Sequence, residues 1–363
     1  MTLAAGERVR LRMAIVLAGG ASLLVAIIFI GLGLSGVRTA LDAFQTFRQS
    51  ATDEVLDTVP WPVLARPLAT WTRGVLLAPH LFIPLGFILL AEWVIPAAKD
   101  QRILSPALVN DFLWYLGEIG IFLAMNAWVA GALRDLYQRD LGWPTLDVIA
   151  GLPAWLSFVL AVLLGDFLGW LHHVVRHKVP LFWWFHTVHH SQRNLNTWTN
   201  ERVHVIDFIV ATLIVFIPAT VLGVSPPGMM GYVVVAAWYT RLYHANIRTN
   251  FGFLRFVLVT PQSHRVHHSI RHEHRDTNFG VIFSVWDRLF GTQCPDDDVY
   301  PETGIHDSTF PQERRWADAL SLRTFLAQQV YPLRLLAQRL RSSRPHRGDS
   351  GHGSRIVTSE ENE

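Results

Sequence analysis

Cysteine is almost missing from this chain: Cys294 stands alone among 363 residues. A single thiol excludes an intrachain disulfide framework, and it excludes a zinc or iron–sulfur site built on cysteines. On that reading, any bound metal falls to histidine. Lysine is nearly as scarce, 2 residues against 29 arginines, a codon bias that points to a GC-rich bacterial source rather than to a physical demand. Charge is thin as well. Only 17% of residues are charged, where a soluble domain carries roughly 25%. The net charge of +2 (31 basic, 29 acidic) supplies no field that calls for nucleic acid. Nucleotide signatures are missing too. Gly31-Leu-Gly33-Leu-Ser-Gly36 matches the dinucleotide pattern in letters alone. It closes an apolar run with no strand before it and no βαβ unit around it, so close helix packing explains it better. With no flavin, nicotinamide or haem-attachment signature, redox chemistry here would draw its electrons from a separate protein.

What is present instead is apolar length. Hydrophobic residues make up 50% and the mean hydropathy is +0.25. Runs at 13–37, 75–97, 112–133 and 146–170 are long enough to span a bilayer, which takes about 20 residues. The first is too long for a signal peptide and lacks a convincing cleavage site, so it reads as a retained span. Two shorter runs, 205–224 and 229–243, flank Ser225-Pro226-Pro227-Gly228 and read as a hairpin that enters and leaves by one side. Arg8, Arg10 and Arg12 place residue 1 in the cytoplasm by the positive-inside rule, and four spans return the chain there near Leu171. The fold class expected is all-α: a polytopic membrane protein with a cytoplasmic, histidine-rich helical cap. Residues 1–165 form the spanning region and 166–292 the histidine domain with its hairpin at about 205–243. Residues 293–341 form a C-terminal helical segment, and 342–363 a disordered tail. The helix expected at 322–340 is amphipathic. It packs on the cap or, with Arg334, Arg339 and Arg341, lies on anionic lipid.

Thirteen of the 17 histidines fall between His172 and His274. Three words recur: His173-x-x-x-His177, His186-x-x-His189-His190 and His264-x-x-His267-His268. Residues three and four apart share a helix face, so each word presents imidazoles to a common point. Eight such rings are too many for one ion and suit two. Imidazole serves iron, zinc and copper alike, so spacing alone does not name the metal. His204 and Asp207 stand at the hairpin entry, with His204 open between ligand, outer-shell group and interface residue. Asp166 and Asp276 are candidate partners for the far nitrogens of metal-bound rings. Asp287 reads as a local cap. His172, His272 and His274 read as non-ligands, and His80, inside a span, is left unassigned. Trp183, Trp184 and Phe185 read as an interfacial belt or a channel wall.

The blocks from Asp166 to His177, from Leu181 to Ser191 and from Thr260 to Ser269 resemble the fatty acid hydroxylase/sterol desaturase superfamily. So do Tyr243-His244-Ala-Asn246, Asp276-Thr-Asn278-Phe-Gly280 and Trp286-Asp287-Arg-Leu-Phe-Gly291-Thr292. The chain departs from the pattern at Val174, where Arg is common, and in Arg202-Val-His204-Val-Ile-Asp207, where a proline is missing. The resemblance implies a membrane-bound non-haem di-iron oxygenase. Its ligands would be the eight histidines of the words and His244, with Asn278 near the centre. Its cofactors would be two iron ions, with O2 as co-substrate. Its partners would be a bilayer lipid (fatty acyl, sterol, ether lipid or carotenoid) and an electron donor, a ferredoxin–reductase pair or a small haem carrier. The expected location is the bacterial cytoplasmic membrane with the histidines facing the cytoplasm. A zinc-dependent membrane lipid hydrolase on the same histidines is the alternative.

Overall fold

The computed structural model describes residues 79–117, 148–149, 151–224 and 226–342. The expected span at 13–37, the connection at 36–74, most of the span at 112–133 and the tail beyond 342 lie outside them, as does the His80 side chain.

Ten α-helices follow one another among the described residues: α1 (Pro79–Val94), α2 (Pro106–Gly117), α3 (Ala154–Lys178), α4 (Pro180–His190), α5 (Val205–Val221), α6 (Pro226–His244), α7 (Pro261–His267), α8 (Val285–Leu289), α9 (Trp316–Ala319) and α10 (Leu322–Ser342). Among the described residues there is no strand, only three isolated bridges. One stretch, Trp155–Lys178 within α3, is long and apolar enough to cross a membrane. Helices α1 and α5 contain shorter apolar stretches, Pro84–Val94 and Val205–Ala219. Trp155, Phe158, Val159, Leu163 and Leu171 leave an apolar outer face on α3. Its inner face packs on α5 and α6 through a core of Leu168, Val215, Ala219, Tyr232 and Ile282. Gly165 permits that approach, because a Cβ there would lie 2.7 Å from the Tyr232 ring.

The break between α3 and α4 is a single residue. Val179 is extended (φ −100°, ψ 113°), and Pro180 follows at the first helical position. Proline cannot continue the ladder of the preceding helix but is well suited to start a new one. The chain therefore turns at once, and the histidines ending α3 face those of α4. Further on, α7 is short but firmly started. Thr260 Oγ1 accepts from Ser263 N (3.0 Å) and Ser263 Oγ from Thr260 N (3.0 Å), a reciprocal cap with Pro261 behind it.

Fully buried Arg202 joins distant segments. Its guanidinium donates to Asp111 of α2 (2.8 Å), to Glu313 (3.1 Å) and to the Val188 carbonyl inside α4 (3.2 Å). Asp111 also accepts from Gln192, Asn196 and Thr199. This polar knot fixes the second histidine word from behind.

Candidate metal centre

The nine histidines singled out by spacing and resemblance fall into two groups: His173, His177, His186, His190 and His267, then His189, His244, His264 and His268. Within each group one donor nitrogen per ring lies within 4.8 Å of all the others. The grouping does not follow the words. In both H-x-x-H-H words the adjacent pair divides: His190 and His267 join the first group, His189 and His268 the second. A single face per word was expected, but neighbours in a helix point about 100° apart, so each dyad serves two centres. Across the divide His190 stacks on His268 (centroids 4.3 Å, 19°).

Which nitrogen faces inward is decided from outside. In the first group His173 Nδ1 donates to the Phe279 carbonyl (2.9 Å) and His267 Nδ1 to the Thr277 carbonyl (2.7 Å). His186 Nδ1 meets Asp207 (3.1 Å), which Arg176 also holds (3.2 Å). His177 Nδ1 faces Asp276 at 3.5 Å. A neutral ring carries one proton, so these outer acceptors leave Nε2 as the bare nitrogen. In the second group His244 Nδ1 donates to the Thr240 carbonyl (2.8 Å). The Nε2 atoms of His189, His244, His264 and His268 approach one another at 2.8–3.2 Å.

A cation fits this arrangement. Nε2 of His173, His186 and His267, and Nδ1 of His189, His264 and His268, are buried without a hydrogen-bond partner. Buried polar atoms normally find one. In the first group the bare Nε2 lone pairs converge with no donor among them, and a metal would satisfy them. Burial, reinforced by the neighbouring imidazoles and Arg176, pushes His186, His189, His190, His264, His267 and His268 well below the ordinary histidine pKa. The rings are thus held in the neutral form that binds metal. Neither group contains a carboxylate.

The loop behind the first group is held in unusual backbone. Asp276 and Asn278 have φ of 56° and 58°, which Asp and Asn tolerate better than most residues. His177 and then Lys178 (2.7 Å) keep the Asp276 carboxyl ionised well below its usual range. Asn278 lies behind the centre rather than in it, donating to the Ser263 carbonyl (2.9 Å) and accepting from Cys294 N (2.8 Å).

Other candidates are placed elsewhere. Asp166 touches no histidine, because its carboxylate accepts from Ile282 N (2.6 Å), Phe283 N (3.1 Å) and Trp286 Nε1 (2.8 Å). Asp287 caps locally, taking Phe279 N and Gly280 N at 2.8 and 2.7 Å. His204 is satisfied by the Gln329 carbonyl (2.9 Å) and Ile206 N (3.1 Å), outside both groups. Trp183 covers His177 and His190 at ring distances of 4.9 and 5.3 Å. The main residue the sequence did not assign is Asp207; its one signal was an acid close after His204 at the hairpin entry.

Residues 158–292 match the fatty acid hydroxylase family model. The chain is 31% identical over 210 residues to an ornithine lipid hydroxylase of Rhizobium tropici, covering 57% of this chain and 63% of that protein. It is 30% identical over 138 residues to a human alkylglycerol monooxygenase (38% of this chain, 30% of that protein). It is 27% identical over 135 residues to a human cholesterol 25-hydroxylase (37% and 50%). No solved structure matches. The matched segment holds all nine histidines of the two groups, and over that segment the chain is similar to the fatty acid hydroxylases.

Proposed function

We propose that this chain is a membrane-bound oxygenase that hydroxylates or desaturates a lipid at a di-iron centre held by the two histidine groups. The observation that carries the reading is the convergence of ring nitrogens in two adjacent buried groups, with three Nε2 atoms of the first group left without a partner. His173 and His177 lie in the last turns of the one helix, among the described residues, that is apolar and long enough to cross a bilayer. On this reading the centre sits at a membrane surface, where an apolar chain reaches it without entering water. Within the proposal the protein is polytopic, its helical cap faces the cytoplasm, and an external carrier supplies electrons.

Iron held in these groups supplies the redox chemistry by which O2 and two electrons oxidise an unactivated C–H bond. For hydroxylation the balance is RH + O2 + 2e⁻ + 2H⁺ → ROH + H2O. The chain's own residues hold and shield. Asp207 and Arg176 fix the His186 ring, Asp276 fixes His177, and three backbone carbonyls fix His173, His244 and His267. Such outer partners set ring orientation and ligand basicity. Trp183 and Phe279 pack on the first group and keep water from it. A lipid hydrolase on the same histidines is not favoured: the similar proteins are hydroxylases and monooxygenases, and no carboxylate stands inside either group to act as base.

The test is anaerobic purification of the full chain, which should carry close to two irons. Turnover of a bilayer lipid should require O2 and an added electron donor, and label from O2 should enter a hydroxylated product. Lipid turnover without O2 and without reductant would overturn the proposal.

A further inference from the structure

One more set of metal-binding side chains comes together outside the paired groups. One donor atom each from His274, Cys294 and Asp296 lies within 4.8 Å of the others. They arrive on two loops, His274 closing the turn His272–His274 and the other two following α8. His274 is 1% exposed; its Nε2 stands 3.2 Å from Asp296 Oδ2, while its Nδ1 is buried without a partner. Cys294 is buried and free. The Asp296 side chain is 47% exposed and gives the set an outlet to solvent.

Contacts that the donors themselves do not make hold both loops in place. Cys294 N donates to Asn278 Oδ1 (2.8 Å), Gln262 Nε2 to the Asp296 carbonyl (2.8 Å), and Thr277 Oγ1 to the His274 carbonyl (2.8 Å). An ion pair between His274 and a half-exposed carboxylate is worth little, and it explains neither the thiol beside it nor the orphaned ring nitrogen.

We propose that His274, Cys294 and Asp296 form a third, mononuclear site for a borderline-soft divalent metal of the zinc class. Imidazole, thiolate and carboxylate together are a zinc or cobalt donor set, and three protein ligands leave a fourth position for water. Cys294 gives up its proton to solvent as the sulfur–metal bond forms, with no change of oxidation state. The site adjoins the first group through Thr277, whose carbonyl holds His267 (2.7 Å). A metal there ties together the loops on either side of that support. A single thiol suffices for such a site when histidine and aspartate complete the donor set.

Being the sole cysteine makes Cys294 its own reporter. Cobalt bound by the paired histidine groups gives no sulfur signal, so a thiolate-to-cobalt charge-transfer band in the near ultraviolet can arise only here. Titrating the full-length, detergent-solubilised chain with cobalt should produce that band, with one ion more per chain than Cys294→Ser retains. Cys294→Ser should lose the band entirely and His274→Ala should weaken or lose it, whereas His190→Ala should keep it. No band in a wild-type chain whose paired groups are filled overturns the proposal. Should the serine variant aggregate, the rate at which a thiol reagent modifies Cys294 with and without zinc decides: protection supports the site and unchanged reactivity removes it. A sulfur band in a chain whose paired groups take no metal would keep this site and sink the di-iron reading.

Discussion

Five imidazoles of the two groups, His173, His177, His186, His244 and His267, are committed twice, once inward by Nε2 and once outward through Nδ1. His186 is the clearest case, since its outward partner Asp207 is itself held by Arg176. Replacing Asp207 by Asn should therefore lower metal affinity without emptying the site, by about 10–100-fold for loss of such an outer partner. His189→Ala or His267→Ala should lose metal outright; metal analysis of purified variants distinguishes the cases, and unchanged content in all three would discredit the assignment. Protonation gives a second check, made on metal-stripped protein. Above about pH 6.5 the rings are neutral both folded and unfolded, so they contribute no pH dependence. Below it the unfolded chain takes up protons that the buried rings, their pKa values depressed by burial, refuse. Stability must then fall as pH drops from that value toward the folded ones. Thermal unfolding of apo protein across this window should show the decline, and a flat profile would contradict the burial. The histidine words were legible because their spacing is local. Asp207 was not, because its partner lies 21 residues away. Asp166 misled for the opposite reason. It shares a helix with His173, but three donors of the 282–286 loop claim its carboxylate.

At the scale of elements the one-residue break at Val179 sets the angle between α3 and α4. Inserting one alanine after Val179 should lengthen the extended break and re-aim α4, carrying His186, His189 and His190 away from both groups. Circular dichroism should then show retained helix while metal content collapses; full occupancy would mean that the angle is set elsewhere. Pro180 makes this break locally, though the spacing of the histidines drew no boundary there, while the runs expected at 205–224 and 229–243 correspond to two helices, Val205–Val221 and Pro226–His244. The Arg202 knot left no such signal, because its partners stand 91 and 111 residues away. Arg202→Met leaves Asp111 and Glu313 buried without their cation, at a cost of roughly 3–5 kcal/mol. A thermal midpoint within a degree or so of the wild type would show that the knot holds nothing together.

For the whole molecule the open matter is orientation. Arg193 and Arg271 are exposed on the loops around the centre. Cysteines placed at either position in a Cys294→Ser background should react with an impermeant reagent only from the cytoplasmic side, while one at Ser50 reacts from outside. Opposite behaviour at Arg193 and Arg271 would separate the histidine words by a membrane and end the single-centre reading. The divided dyads bear on how such an assembly tolerates strain. His189 and His190 are neighbours in the chain, as are His267 and His268, with ring centroids 5.6 and 5.4 Å apart. Helices that tilt or slide in a bilayer alter distances between elements, but they leave the step of about 3.8 Å between consecutive Cα atoms alone. The interval between the two histidine groups is therefore a covalent dimension, a ruler one peptide long that is read twice. In the proposed membrane enzyme it would travel intact with α4 and α7 however the bilayer stretches or thins.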